Sequence, residues 1–319
     1  MRFSIVVPTY NDREYLELLL KSYSPPDEDF EFIVVDDCSS DDTSEMVKKY
    51  PVRYFRMEAN SGPAAARNRG VRDASGDVII FCDSDILLGG GALERVKWYF
   101  EEGGEAALMA TGHLPPHNPG FFPKFKYYQE MVWDEGEGYT DHFNARFGAT
   151  RKDFFLKVGG FDQTIRTASV EDYEFGHRLA GFARSRKCSD VFYSHRHPSF
   201  LKQAKLYFVR AGDYISLLRQ KGSADNVAAT SGEAAVAVTA FLSQAAFVLT
   251  PVSQCFAYIG FGAIMTYLIL ARSLFKLILA REGPLFALRS IMAHYVLCSF
   301  IVLGACWGVV KLGMGRLQN

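Results

Sequence analysis

Two carboxylates close an apolar run in the first third of this 319-residue chain. The run DVIIFC (77–82) is followed by Asp83 and, two positions later, by Asp85. Alternate side chains of an extended segment point to one face, so both carboxylates can contact one ligand. They repel each other unless a proton or a cation lies between them, and Mg²⁺ binds carboxylates together with substrate phosphates. The pair predicts a divalent-cation site, although a solvated turn produces the same short pattern.

A second pair of acids, Glu171 and Asp172, opens the helix-like segment EDYEFGHRLAGF (171–182). We expect Thr167 or Ser169 near the N-terminal cap of this helix. Acidic residues in the first turn complement the helix dipole, and that effect alone accounts for them. A carboxylate that faces a bound hydroxyl can instead act as a general base. The residues alone leave both interpretations open.

Two histidines, His195 and His197, alternate in the segment SHRHP (194–198). If this segment is a strand, both imidazoles lie on one face. Such a pair can bind a metal ion or contact a diphosphate, whereas an isolated histidine is more often structural. We count both as candidate metal ligands.

The elements that position these groups are visible in the first 110 residues, where apolar strand-like runs alternate with helix-like segments. The predicted strands are 3–8, 30–36, 52–57, 77–83 and 105–111, and the predicted helices are near 12–23, 41–50, 63–73 and 90–101. This alternation indicates an α/β fold with a mostly parallel sheet covered on both faces. Ligands of such sheets bind beyond the carboxyl ends of the strands, where Asp36, Asp83 and Asp85 lie.

The C-terminal third has no charged residue between Glu233 and Arg272. A membrane-spanning helix needs about 20 apolar residues. We therefore predict an α-helical membrane domain over 233–311 with about three helices, at 233–250, 252–271 and 291–310.

The segment between the second and third predicted spans carries four basic residues and one acid. By the positive-inside rule this segment is cytoplasmic. The apolar run at the N-terminus is too short for a signal peptide, so we expect the first domain to be cytosolic as well. These features predict an integral membrane protein, which we place in a bacterial inner membrane.

Two further segments complete the predicted organisation. Residues 201–222 have apolar positions at helical spacing and several basic residues, which favours an amphipathic helix at the membrane interface. Residues 223–232 are predicted to be a linker. No basic-aromatic run indicates nucleic acid as a partner. The six cysteines lack metal-binding spacing, which is typical of reduced thiols.

Four motifs follow one another in register along the chain. They are VVPTYNDREYL (6–16), FIVVDDCSSDDT (32–43), NSGPAAARNRGVRDASGDVIIFCDSDI (60–86) and GGFDQTIRTASVEDYEFGHRLAGF (159–182). In these motifs the chain resembles the family 2 glycosyltransferases, whose nucleotide-sugar-binding fold is of the GT-A type. The resemblance extends from Phe3 to about residue 200, and it implies a glycosyltransferase domain over 1–200.

The resemblance implies roles for the residues that bind the donor. Pro8 and Tyr10 would lie along the nucleotide base, and Asp36 would accept a hydrogen bond from a uracil-like imide. Asp83 would face the ribose and the water shell of the metal, and Asp85 would ligate Mn²⁺ or Mg²⁺.

The resemblance also implies a catalytic and an acceptor side. Asp172 would be the general base, with Glu171 in support, and Phe147, Gly148 and Ala149 would form the wall of the acceptor pocket. Arg67, on a helix that begins near Gly62, would reach the diphosphate or a neighbouring carboxylate.

We therefore expect a metal-dependent, membrane-anchored, inverting glycosyltransferase. Its donor is expected to be a nucleotide-sugar, with a UDP-sugar favoured, and its acceptor a saccharide hydroxyl on a lipid-linked molecule at the cytosolic membrane face. Transfer to a polyprenyl phosphate is the alternative acceptor chemistry. A non-catalytic membrane scaffold that retains the fold is the alternative from another class. The sequence leaves association into a homo-oligomer open.

Overall fold

The strands and helices predicted for the N-terminal segment are present in the structure at similar positions. The computed structural model describes residues 1–23, 25, 27–167, 170–221 and 228–316. Its strands are β1 (Phe3–Thr9), β2 (Phe30–Asp36), β3 (Arg53–Arg56), β4 (Val78–Cys82), β5 (Ile86–Leu88), β6 (Ala107–Leu114), β7 (Gly138–Thr140), β8 (Phe147–Arg151) and β9 (Ser185–His195). Its first seven helices are α1 (Arg13–Ser22), α2 (Thr43–Val47), α3 (Pro63–Asp73), α4 (Ala92–Glu101), α5 (Phe121–Trp133), α6 (Lys152–Lys157) and α7 (Glu171–Ala180).

The described strands form one sheet in the order β3-β2-β1-β4-β8-β6-β9-β5, and β7 pairs with β9 outside this order. Strands β1 to β4 are parallel, whereas β8 is antiparallel to both β4 and β6. The predicted α/β class with a mostly parallel sheet is confirmed.

Apolar cores cover both faces of this sheet. Successive residues of β1 alternate between them: Ile5 and Val7 belong to one cluster, whereas Val6 belongs to the other. Because neither face is exposed to water, the central strands are continuously apolar. Polar residues therefore appear where these strands end.

The loops that follow β1 and β2 are bound to each other at the carboxyl edge of the sheet. The Asn11 backbone N–H donates to Ser39 Oγ at 2.9 Å, and the Ser40 backbone N–H donates to Asn11 Oδ1 at 2.7 Å. Asn11 has a φ of 51°, a left-handed conformation that asparagine tolerates better than most residues. These bonds hold one rim of the candidate site.

The start of α3 is fixed at the same edge. The carboxylate of Asp37 accepts hydrogen bonds from the backbone N–H groups of Ser61 and Gly62, each at 2.8 Å. Gly62 has a φ of 89°, and an added Cβ would collide with the carbonyl oxygen of Arg166. Only glycine fits this position without a shift of the backbone. Asp37 and Gly62 thus set the direction of the helix that carries Arg67.

The chain divides into two compact units. The first consists of Met1–Asn118 and Asp134–Arg196, and the second of Pro119–Trp133 and His197–Asn319. Helix α5 therefore groups with the C-terminal helices, although it falls inside the segment 1–200 that we predicted as a single domain. The aromatic side chains of α5 explain this grouping, since Phe122 and Phe125 are buried in the core of the second unit.

The second unit is helical. After α5 it contains α8 (Phe200–Lys221), α9 (Ala228–Leu249), α10 (Cys255–Leu270), α11 (Arg272–Glu282) and α12 (Pro284–Arg316). Two stretches, Gly232–Leu249 and Pro284–Met314, are long and apolar enough to cross a membrane. Helices α10 and α11 pass the same test only together, and they are bent by 66° at their junction.

The helix bounds differ from prediction at two places. Helix α9 begins at Ala228, inside the segment 223–232 predicted as a linker, of which residues 223–227 lie outside the described residues. Helix α12 begins at Pro284, well before the predicted span 291–310, because its first two turns pack against the rest of the unit through Phe286 and Ala287. Helix α8 matches the predicted 201–222, and its position at a membrane interface stays a prediction.

Candidate active site

The two carboxylates that follow β4 lie in the short turn that leads to β5. The Asp83 backbone N–H donates to the carbonyl oxygen of Arg146 at 2.9 Å, and Ser84 Oγ donates to Asp12 Oδ2 at 2.7 Å. These bonds hold the turn on both sides. The side chains of Asp83 and Asp85 keep 32% and 28% of their surface exposed, so both remain open to a ligand.

His195 lies beside this turn. It is the last residue of β9, pairs with Ile86 in the sheet, and places its Nε2 3.6 Å from Asp85 Oδ1. Burial raises the pKa of Asp85 above its ordinary value; His195 opposes this shift, and the nearby carboxylates of Asp83 and Asp12 add to it. The site thus concentrates negative charge that a cation would neutralise.

The donors present fit a divalent metal ion. Two carboxylates and an imidazole, on Asp83, Asp85 and His195, are suitable ligands for Mn²⁺, and the carboxylates alone are suitable for Mg²⁺. The two oxygens of Asp83 differ, because Oδ1 accepts a hydrogen bond from Arg67. Their role as ligands stays a prediction.

His197 does not share the strand of His195. Strand β9 ends at His195, and His197 belongs to the second unit, where it is 3% exposed. Its Nδ1 lies 3.8 Å from Glu130 Oε1 on α5. Only His195 therefore belongs to the strand, and the role of His197 as a metal ligand stays a prediction.

Arg67 connects the two acidic motifs. It is only 4% exposed, and it donates from Nη2 to Asp83 Oδ1 at 2.8 Å and from Nη1 to Glu171 Oε1 at 3.1 Å. Although burial disfavours the guanidinium charge, Asp83 and Glu171 hold the pKa of Arg67 above its ordinary value. The neighbouring carboxylates are thus the contacts of this arginine in the structure.

The two acids of α7 have different environments. Glu171 is 4% exposed and bound to Arg67, whereas Asp172 is partly exposed and its Oδ1 accepts the Tyr173 backbone N–H at 2.9 Å. Of the pair, Asp172 is therefore the one that can meet a substrate. Val170 occupies the N-cap of α7, and no side chain caps it among the described residues. Thr167, which we expected near the cap, precedes Val170 by three positions, and Ser169 lies outside the described residues.

The residues predicted to bind the nucleotide are unequally accessible. Tyr10 is 51% exposed at the end of β1, whereas Pro8 is buried within that strand. Asp36 has no exposed surface. Its carboxylate accepts hydrogen bonds from the Ser39 backbone N–H at 2.8 Å, Tyr54 Oη at 2.6 Å and Arg56 Nη1 at 3.1 Å. A base reaches Asp36 only if Tyr54 or Arg56 moves.

The predicted acceptor wall at Phe147, Gly148 and Ala149 is not found. These residues form the start of β8, between β4 and β6, and all three are buried. Phe147 and Ala149 are 1% and 0% exposed within the core. A side chain without accessible surface cannot line an open pocket, so the segment is structural. The sequence misled us because a buried strand and a pocket wall are both apolar.

A group of residues beside Asp85 escaped the sequence analysis. The Arg196 backbone N–H donates to the Asp85 carbonyl oxygen at 3.1 Å, and its guanidinium lies 3.7 Å from the ring centroid of Tyr15. The His117 ring lies 6.3 Å from the same ring. Arg196 stands between the two histidines of SHRHP, which was the available signal, whereas nothing in the sequence marks Tyr15 or His117.

Comparison with known proteins agrees with this geometry. Residues 4–162 match the family described as Glycosyl transferase family 2. Poly(ribitol-phosphate) beta-N-acetylglucosaminyltransferase TarS of Staphylococcus aureus is 37% identical over 110 residues, which cover 32% of this chain and 19% of TarS. GalNAc(5)-diNAcBac-PP-undecaprenol beta-1,3-glucosyltransferase of Campylobacter jejuni is 37% identical over 125 residues, which cover 35% of this chain and 40% of that protein.

Solved structures show the same fold at low sequence identity. Mannosyltransferase PcManGT from Pyrobaculum calidifontis, in complex with GDP-Man and Mn2+, has a TM-score of 0.60 at 16% identity and covers 97% of this chain and 87% of its own. TarS 1-349 in complex with UDP-GlcNAc has a TM-score of 0.52 at 20% identity, and the match covers 93% of this chain and 90% of the TarS fragment. The chain aligns with about a fifth of the full length of TarS and two fifths of the Campylobacter protein. The family match and the shared GT-A fold show that this chain belongs to glycosyl transferase family 2.

Proposed function

We propose that this protein is a membrane-anchored, inverting glycosyltransferase that uses a nucleotide-sugar donor and a divalent metal ion. Its acceptor is a saccharide hydroxyl on a lipid-linked molecule, and transfer takes place at the cytosolic face of a bacterial inner membrane. A UDP-sugar is the favoured donor. The observation that carries this proposal is the convergence of Asp83, Asp85, Arg67 and the Glu171–Asp172 pair at the carboxyl edge of one sheet.

The donor side is supported by the carboxylates of the β4–β5 turn. Asp83, Asp85 and His195 would hold Mn²⁺ or Mg²⁺ there. When bound, such an ion acts as a Lewis acid that neutralises charge on the leaving diphosphate. Tyr10, at the exposed end of β1, is placed to contact the nucleotide base.

The acceptor side is supported by the division of roles within the acidic pair. Asp172 accepts the proton of the acceptor hydroxyl as that oxygen attacks the anomeric carbon. Glu171 is fixed by Arg67, and because it precedes Asp172 in the first turn of α7 it restrains the position of the base. A single displacement of this kind inverts the configuration at the anomeric carbon.

The choice of a hydroxyl acceptor depends on the base. A polyprenyl phosphate is already ionised near neutral pH and needs little base catalysis, whereas a sugar hydroxyl must lose a proton. The name of the Campylobacter relative describes an acceptor linked through a diphosphate to undecaprenol, and that of TarS a poly(ribitol-phosphate). The candidate spans Gly232–Leu249 and Pro284–Met314 would keep the enzyme where lipid-linked acceptors are found.

Sugar transfer by the purified full chain tests this proposal. UDP-, GDP- and dTDP-sugars are supplied with Mn²⁺ and with either a lipid-linked saccharide or a polyprenyl phosphate. We expect transfer to the saccharide, with inversion at the anomeric carbon read by NMR of the product. Transfer to the polyprenyl phosphate alone would favour the alternative acceptor, and retention of configuration would contradict the single displacement.

A further inference from the structure

The last residue of the first unit is an arginine. Arg196 directly follows β9, and among the residues that the structure describes its guanidinium forms no ion pair. Its contact is instead with the face of Tyr15 on α1, 3.7 Å from the ring centroid. This stack orients the planar guanidinium and leaves its N–H donors unused.

Two carboxylates at this edge of the sheet, on Asp12 and Asp85, have other partners. Asp12 Oδ2 accepts the hydroxyl of Ser84 at 2.7 Å, and Asp85 Oδ1 faces His195. A purely structural arginine at this edge would be expected to bind one of these acids, since an arginine fork matches a carboxylate in geometry and charge. Arg196 is held beside them through its backbone, because its N–H donates to the Asp85 carbonyl oxygen at 3.1 Å.

His117 provides a second, independent observation, a ring nitrogen without a hydrogen-bond partner among the described residues. Its Nδ1 lies 3.3 Å from Ser194 Oγ, and the Ser194 hydroxyl donates to the Pro115 carbonyl oxygen at 2.6 Å. The Ser194 oxygen is thus the acceptor of the Nδ1–H group. The Nε2 atom is buried and has no hydrogen-bond partner among the described residues. A buried polar atom without a partner is costly, so a site that leaves one open is expected to fill it with a ligand group.

From these two observations we infer that Arg196 and His117 form a subsite for a phosphate-ester oxyanion beside Asp85. The ring of Tyr15 orients the guanidinium of Arg196. This inference rests on the proposed function. A guanidinium forms bidentate hydrogen bonds with phosphate, and the planar stack on tyrosine fixes the fork in advance. The His117 Nε2 accepts a hydrogen bond when neutral and donates one when protonated, so it can meet a phosphate hydroxyl or an oxyanion.

Two substrates of the proposed reaction carry this chemistry. One is the diphosphate of the nucleotide-sugar, and the other is the phosphate that joins a lipid to its saccharide. Both present the same oxyanion, so the two are separated by measuring donor and acceptor independently.

The donor arm compares UDP with uridine by calorimetry, in Mn²⁺, for the wild type and Arg196→Gln. The dissociation constant of uridine divided by that of UDP reports how much the phosphates contribute to binding. If the subsite holds the donor diphosphate, Arg196→Gln reduces this ratio by about tenfold, the loss expected for one charge-assisted hydrogen bond. Arg196→Lys keeps the charge without the planar fork and recovers only part of the ratio. Arg72→Gln, at an exposed arginine of α3, is the matched control and leaves the ratio unchanged.

The acceptor arm compares a lipid-diphosphate saccharide with the same saccharide on an uncharged alkyl group. The ratio of interest is the KM of the uncharged acceptor divided by the KM of the lipid-diphosphate acceptor. If the subsite holds the acceptor phosphate, this ratio falls about tenfold in Arg196→Gln, while the affinity for UDP stays unchanged. Wild-type values in both arms for Arg196→Gln would overturn the subsite and leave the proposed function intact. A wild-type protein that binds no nucleoside diphosphate and transfers no sugar would overturn both.

Discussion

The guanidinium of Arg67 donates a 2.8 Å hydrogen bond to the carboxylate of Asp83, although Arg67 is buried and Asp83 is a third exposed. The same guanidinium reaches Glu171, 104 residues further along the chain. One buried cation therefore joins the turn that carries the candidate metal ligands to the helix that carries the candidate base.

Removal of this cation should destabilise the protein. In Arg67→Met the acids Asp83 and Glu171 lose their shared counter-ion, and breaking a buried ion pair costs about 3–5 kcal/mol. Because Asp83 is partly exposed, we expect a loss of roughly 2–4 kcal/mol, seen as a clear drop in melting temperature. Arg72→Met, on the exposed face of the same helix, serves as the control and should melt like the wild type. An unchanged melting temperature in Arg67→Met would show that the bridge contributes no stability.

The candidate base should affect turnover and not donor binding. Asp172→Asn keeps the size of the side chain and removes its basicity, so kcat for a saccharide acceptor should fall by about 10²–10⁴-fold. The dissociation constant of the nucleotide should stay unchanged. Asp153→Asn, at an exposed acid in the first turn of α6, should retain full activity. Wild-type kcat in Asp172→Asn would instead favour an acceptor that is already ionised.

The first unit should lose stability in acid through Glu31. Burial alone would raise the pKa of this group, but hydrogen bonds from Ser4, Ser75 and Arg53 lower the pKa to about 2. Between pH 4.5 and pH 2 the unfolded chain therefore binds more protons than the folded one, and stability is lost as the pH falls.

Melting temperatures measured from pH 6 to about pH 2.5 check this effect. In Glu31→Gln the titrating group is absent, so the decline over this range should be shallower than in the wild type. Glu94→Gln replaces an exposed acid of α4 and should follow the wild-type decline. Parallel curves for Glu31→Gln and the wild type would show that Glu31 is not responsible.

The stability of the second unit should depend on the small residues at the contact between α8 and α12. A Cβ at Gly304 would collide with the carbonyl oxygen of Phe208, and one at Gly308 would lie 2.7 Å from the carbonyl oxygen of Gly212. Glycines four residues apart allow close approach of helices in membranes. We expect Gly304→Ala to lower stability by about 1–3 kcal/mol, the usual cost of overpacking.

Gly313→Ala is the control for this contact. Gly313 lies in the same helix and would place its Cβ in open space, so alanine should be neutral or slightly stabilising there. The melting temperatures of Gly304→Ala and Gly313→Ala, measured in the same detergent, test this prediction. Equal melting temperatures would mean that the two helices separate at no cost.

Local features of the site were predictable from the sequence, because they depend on strand ends and helix starts. The positions of Asp83 and Asp85 after β4, and of Glu171 and Asp172 at the start of α7, follow from the apolar pattern around them. The start of α3 follows from Gly62 and Pro63.

Contacts between distant segments were not predictable in this way. The partners of Arg67 depend on how α3 and α7 meet on one face of the sheet, and the stack of Arg196 on Tyr15 depends on the path of the chain after β9. The end of β9 at His195 was not predictable either, since periodicity does not show where a strand ends. The buried residues Phe147, Gly148 and Ala149 lacked a distinguishing signal, because core strands and pocket walls share an apolar composition.

We propose that Asp85 helps to hold a metal ion for the diphosphate of a nucleotide-sugar. The most direct test is calorimetric titration of the purified full chain with UDP, GDP and dTDP, with and without Mn²⁺, for the wild type, Asp85→Ala and the surface control Asp153→Ala. We predict that the wild type and the control bind one of these nucleotides only when Mn²⁺ is present, and that Asp85→Ala does not. Equal nucleotide binding with and without Mn²⁺, or wild-type binding by Asp85→Ala, would contradict the assignment of this carboxylate to a metal site.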